Sequence, residues 1–168
     1  MDFNFAQSLG LLSFILGTYT FLQKNDKQLK VSLLCLFACQ TAHFFLLGSP
    51  TAAAANLLSL IRTFISIKFK MPWVGIVFIT VNIIWGGILF DSMLSILPIL
   101  GACCGTYAVF FLHGIKMRLA FILGAVCWIT HNILVGSIGG ILLEIIVIIA
   151  NTLTSVRIYL HNKQHNIQ

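Results

Sequence analysis

The chain has 168 residues, 59% of them hydrophobic and 8% charged, with a mean hydropathy of +1.01. Soluble domains carry about 25% charged residues, so this composition excludes an ordinary water-soluble domain and points to an integral membrane protein. The net charge of +6 does not make a nucleic-acid binder, because a basic groove needs Lys and Arg clustered on one folded face.

Seven apolar runs follow one another at 5–22, 30–47, 51–69, 72–90, 93–112, 118–135 and 138–160. A spanning helix needs about 20 residues, and unbroken runs of this length without alternation predict helices rather than strands. The opening MDFNFAQ lacks the basic stretch of a signal peptide, so the first run is expected to be a retained span. Gly17-Thr18-Tyr19 closes that run. The second holds Gln40 and His43 and ends in Gly48-Ser49-Pro50.

The third run carries a polar stripe of Asn56, Ser59, Thr63 and Ser66 at helical spacing. Arg62 lies roughly 120° around from that stripe and is expected to snorkel to the cytoplasmic surface, with a pairing to Glu144 as the alternative. Run 72–90 places Trp73 at an edge, as an interfacial anchor. In the fifth run Pro98 is a candidate kink. The sixth holds Trp128 and His131, three apart and on one helix face. The seventh, after Gly136-Ser137, carries Glu144, Asn151 and Thr154. His161 and His165 in the tail read as part of a solvated basic segment.

Threading seven spans puts Lys24, Lys27, Lys30, Lys68, Lys70, Lys116, Arg118, Arg157 and Lys163 on one side. Asp2, Asp91 and the two neutral Gly-Ser turns fall on the other. Positive charge marks the cytoplasmic side, which predicts an outside N-terminus and a cytoplasmic C-terminus. Cys35, Cys39, Cys103, Cys104 and Cys127 all lie within apolar runs. They suggest neither a disulfide framework nor a zinc site, and no cofactor or metal is expected.

Residues 5–70 align with 93–158 without a gap, at an offset of 88. Gly17-Thr18-Tyr19 meets Gly105-Thr106-Tyr107, Cys39 meets Cys127, His43 meets His131, and Gly48-Ser49 meets Gly136-Ser137. Three spans per copy with one between them make the copies parallel, as in transporters whose substrate sites lie at the repeat interface. The expected fold is therefore all-α: a first three-helix repeat (1–70), a connecting helix (71–92), and a second repeat with the tail (93–168).

This 3+1+3 plan resembles the SWEET, SemiSWEET and PQ-loop superfamily of carriers. The segment Phe121-Ile122-Leu123-Gly124, Trp128, His131-Asn132-Ile133-Leu134 is similar to a SemiSWEET pattern of Phe-Leu-Gly, Trp, Tyr-Gly-Ile-Leu. As a whole the chain looks closest to the bacterial inner-membrane YgjV family. The resemblance implies a substrate-contacting Trp on the second helix of a repeat and an Asn on the third, with fifteen residues between. Trp128 and Glu144 have that spacing, as do Gln40 and Asn56. Asn56 matches the pattern, whereas Glu144 and Gln40 depart from it and argue against a simple sugar site. The family's Pro-Gln dipeptide is also missing near the Gly-Thr-Tyr triplets.

Depth along the helices groups the same residues. Glu144 and His131 each fall roughly 8 Å below the Gly-Ser turn side, and the repeat puts Asn56 and His43 level with them. The expected site is a ring of His43, Asn56, His131 and Glu144, with Trp128 and Gln40 beneath it. Ionisable groups in a span are costly and functional by default, and Glu144 either attracts a cationic group or exchanges a proton. No nucleophile–base pair, paired carboxylates or phosphate loop is present, so an enzyme is not expected. The expected function is a carrier for a small polar solute in the inner membrane, with a non-transporting receptor or assembly protein as the alternative. The lipid bilayer and an unidentified solute are the partners, and the pattern leaves room for a homo-oligomer.

Overall fold

A computed structural model describes residues 5–22, 26–69, 71–90 and 92–165. Asp2, Lys24, Lys70 and Asp91, used above to orient the chain, lie outside them. The described residues form α1 (Phe5–Leu22), α2 (Asp26–Leu46), α3 (Pro50–Ser66), α4 (Pro72–Ile88), a 3-10 turn at Met93–Ser95, α5 (Ile96–Phe111), α6 (Gly114–Val135) and α7 (Ile138–His165), with no strand among them. Met93–Phe111, Gly114–Val135 and Ile138–Leu160 are long and apolar enough to cross a membrane, while Val31–Leu46 and Pro72–Ile88 are apolar but shorter. Helix α7 continues past the apolar run at 138–160, since helical hydrogen bonds do not depend on side-chain polarity. Pro98 falls in the first turn of α5, where a missing N–H breaks no α-helical bond.

Burial is inverted relative to a soluble protein. The largest fully enclosed side chains include His43, His131, Asn132 and Asn151 beside Phe44, whereas Phe5, Phe45, Phe64, Ile88 and Met93 point outward. In water that pattern would expose apolar surface and desolvate polar groups together. In lipid it is the stable arrangement. Helix α3 shows it best: Asn56, Ser59, Arg62, Thr63 and Ser66 are buried while Leu57, Ile61 and Phe64 are exposed.

Packing runs in a cycle: α1 on α2, α2 on α3, α3 on α5, α5 on α6, α6 on α7, and α7 back on α1. Helix α4 packs outside this cycle, against α3 and α5. Two short turns set the cycle's direction at one end. Gly48 and Gly136 both adopt positive φ, 70° and 74°, the left-handed conformation that glycine takes without strain. The following serines bond back alike, Ser49 N to Phe44 O at 2.9 Å and Ser137 N to Asn132 O at 2.8 Å. Each turn thus closes one helix and opens the next, within three residues at Leu47–Ser49 and two at Gly136-Ser137.

Helices α1 and α7 meet where Gly139 lies against the backbone of Gly10, so closely that a Cβ on Gly139 would fall on the Gly10 carbonyl. Small residues at such crossings let membrane helices approach. Gly139→Ala is therefore expected to destabilise the protein by about 1–3 kcal/mol or more, measured by thermal unfolding of the purified protein in detergent. Gly87→Ala, which meets open space, should leave the melting temperature unchanged or raise it.

Candidate functional site

The site grows from the end of α2 and the end of α6. His43 is completely enclosed. Its Nδ1 lies 2.7 Å from Ala6 O and its Nε2 2.6 Å from Ser137 Oγ. A carbonyl only accepts, so Nδ1 carries the proton and Nε2 accepts from the Ser137 hydroxyl. Ser137 Oγ in turn accepts the Gly140 N–H at 3.1 Å, capping α7. Ala6 O, both His43 ring nitrogens, the Ser137 hydroxyl and the Gly140 N–H are thereby matched in one relay from α1 through α2 to α7.

The same contact occurs a second time with the roles exchanged. Ser49 Oγ lies 3.0 Å from His131 Nε2, and these residues are the 88-offset counterparts of Ser137 and His43. A two-fold interface has this property, since a contact from one side must recur from the other. Phe44 fills the space between the crossed bonds, with ring centroids 5.1 Å from His43, 5.8 Å from His131 and 5.7 Å from Trp128. Gln7 secures the second turn from α1: its Nε2 donates to Gly136 O at 2.6 Å and its Oε1 accepts from Ile138 N at 3.2 Å.

The expected site residues therefore stand as follows. His43 and His131 tie the Gly-Ser ends together. Trp128 is half-buried, edge-on to His131 and against Gly101 of α5. Glu144 is half-buried on α7 and has no hydrogen bond or ion pair among the described residues. Gly140 packs on Asn132, and Arg118 Nη1 donates to Asn151 Oδ1 at 3.2 Å, so α6 and α7 run in a register that sets Glu144 level with Trp128. Gln40 is 5% exposed and its Oε1 is buried without a hydrogen bond. Asn56 turns back on its own helix, with Nδ2 donating to Ala52 O at 2.9 Å.

Arg62 departs from its expected place. It is buried, not snorkelled, and Nη1 donates to Thr106 Oγ1 of α5 at 2.8 Å. Helix α3 is contacted by α2, α4 and α5, so its covered arc is wider than the Asn56–Ser66 stripe and takes in Arg62. Sequence reasoning also missed Gln7, Phe44 and the role of the two serines. The repeated His–Gly-Ser spacing was the available signal, once a two-fold contact rule is applied to it. Among the described residues no three His, Cys, Asp or Glu side chains gather as a metal site, and the five cysteines are free thiols.

An all-helical chain with inverted burial and enclosed polar contacts between its helices is a multi-helix membrane protein. It belongs to the Imp-YgjV family, described as bacterial inner membrane proteins, whose model matches residues 4–162. It is similar to the inner membrane protein YgjV of Escherichia coli (strain K12), 33% identical over 162 residues covering 95% of this chain and 87% of that protein. No solved structure matches the chain.

The crossed bonds are measurable by a double-mutant cycle on His43→Ala and Ser137→Ala. Ser137→Ala alone also removes the α7 cap, and the cycle separates that loss from the pair. A coupling of about 0.5–1.5 kcal/mol is expected, with a similar value for His131→Ala and Ser49→Ala. Strict additivity in both cycles would contradict the pairing.

Proposed function

We propose that this protein carries a small polar solute across the bacterial inner membrane by alternating access. Two parallel three-helix repeats, 1–70 and 93–168, would rock about the connector 71–92 in a SWEET-like 3+1+3 plan, with the Gly-Ser turns outside and the C-terminus in the cytoplasm. The single observation that carries this reading is the crossed His43–Ser137 and His131–Ser49 contact. It joins the repeats reciprocally at one end and is small enough to break. The cyclic packing supports it too, since α1 on α7 and α5 on α3 exchange under the 88-residue offset.

Beneath the latch, Phe44 and Trp128 close the outer end. Glu144 without a partner and the unsatisfied Gln40 Oε1 are then the polar groups offered to a solute when the repeats separate. Asn56 adds a side chain that gives up only a bond within its own helix. The site is asymmetric: its acid and its indole both come from the second repeat, and its two amides from the first. A solute with a cationic or hydrogen-bond-donating group fits this set better than a plain sugar. Buried polar acceptors left unpaired cost about 1–3 kcal/mol each, which a bound donor would recover.

The test is uptake of a mixture of sugars, amino acids, organic acids and amines into proteoliposomes, read by mass spectrometry. At least one solute is expected to accumulate through the native protein. Glu144→Gln and Trp128→Ala are each expected to slow that uptake by about tenfold or more, the loss of roughly one good contact. Vesicles carrying folded native protein that move none of these solutes would count for a non-transporting receptor or assembly protein instead.

A further inference from the structure

Arg62 is 7% exposed, and its guanidinium has five N–H donors. Its one hydrogen bond among the described residues goes to the Thr106 hydroxyl. That hydroxyl donates onward to Ala102 O at 2.8 Å, so it offers Arg62 a neutral lone pair and nothing more. No carboxylate contacts the guanidinium among the described residues. A buried ion without a counter-charge costs several kcal/mol. Hydrogen bonds to neutral groups satisfy its N–H donors without cancelling that charge.

Arg62 borders a cavity of about 10 Å³ between α3, α4 and α5, which Ser59, Phe78, Asn82, Ala102 and Thr106 also line. Space of that order takes a water molecule or a single ion somewhat larger, and is too small for an organic carboxylate. Ser59 is buried, and its hydroxyl makes no hydrogen bond among the described residues. Asn82 is committed elsewhere, with Nδ2 donating to Ile99 O at 3.0 Å and contacting Cys103 Sγ at 3.4 Å. It fastens α4 over the cavity.

We propose that this cavity is a binding site for one small inorganic monoanion of chloride size, held by the Arg62 guanidinium and the Ser59 hydroxyl. The anion supplies the missing counter-charge, and Phe78 and Asn82 of α4 roof it. Helix α4, which packs outside the cycle of the other six helices, thereby gains a specific task. The corresponding place between α7 and α1 holds Ala150 and Thr18, so each chain has one such site. The assignment stands independently of the carrier reading.

The experiment is thermal unfolding of the purified full-length protein in sodium chloride against sodium gluconate at equal ionic strength. Chloride and bromide are expected to raise the melting temperature saturably, and the larger gluconate is not. Arg62→Gln should abolish the chloride response, and Ser59→Ala should weaken chloride several-fold. Crystals grown in bromide should show anomalous scattering within hydrogen-bond distance of Arg62, which tests the site even if the Arg62 variant fails to fold. Native protein indifferent to chloride, an Arg62→Gln variant with an unchanged chloride response, or bromide crystals without that peak would each overturn the assignment.

Discussion

The N-terminal and C-terminal three-helix segments of this protein are joined where a histidine of each reaches a serine of the other. The magnitude of that interaction decides what it can do. Hydrogen bonds between membrane helices average about 0.6 kcal/mol, so the crossed pair contributes on the order of 1 kcal/mol, with Phe44 packing adding to it. A junction of that size biases a two-state equilibrium several-fold without freezing it. The Gly-Ser turns are what bring it about. Left-handed Gly48 and Gly136 aim Ser49 and Ser137 at the opposing histidines.

Polarity inside the protein is distributed unevenly, and the distribution separates structural from available groups. His43, Ser137, Gln7, Asn82 and Thr106 all have specific hydrogen-bond partners. Among the described residues, Glu144 and Gln40 Oε1 have none, and the Arg62 guanidinium has the Thr106 hydroxyl alone. An unpaired ionisable group in a span is expensive to maintain, and among the described residues Glu144 and Arg62 are two such groups, an acid and a base on different helices. On the carrier reading the acid serves the solute path between the repeats. The arginine serves the α3–α4–α5 junction, so the two are held apart by the fold and need not neutralise each other.

The helices were legible because apolar run length and the bilayer's dimensions constrain each other. Each run falls on one helix, and the ends moved where helix extended into polar flanks, as at Gly114 and His165. Membership of an inner-membrane family was legible from the whole pattern. Much less of the candidate site could be read. Helical period says which residues share a face, but not how many neighbours cover that face, and Arg62 was misplaced for that reason. The depth argument set His43 and His131 level with Glu144 without showing that a serine across the interface already occupied each imidazole. Gln7 carried no signal, since one glutamine in an apolar run is equally suited to packing or function.

The claim that most depends on this geometry is that the crossed His–Ser contact holds one end of the protein shut. It is tested by electron–electron spin-label distances between Phe45 and Ile133, 88 residues apart and both exposed beside the turns. The labels go on introduced cysteines, with the five native cysteines replaced. The native background should give one narrow, short distance. Replacing His43 and His131 together by alanine should populate a second distance longer by several ångströms while the helices stay folded. An unchanged narrow distribution in that double variant would contradict the account.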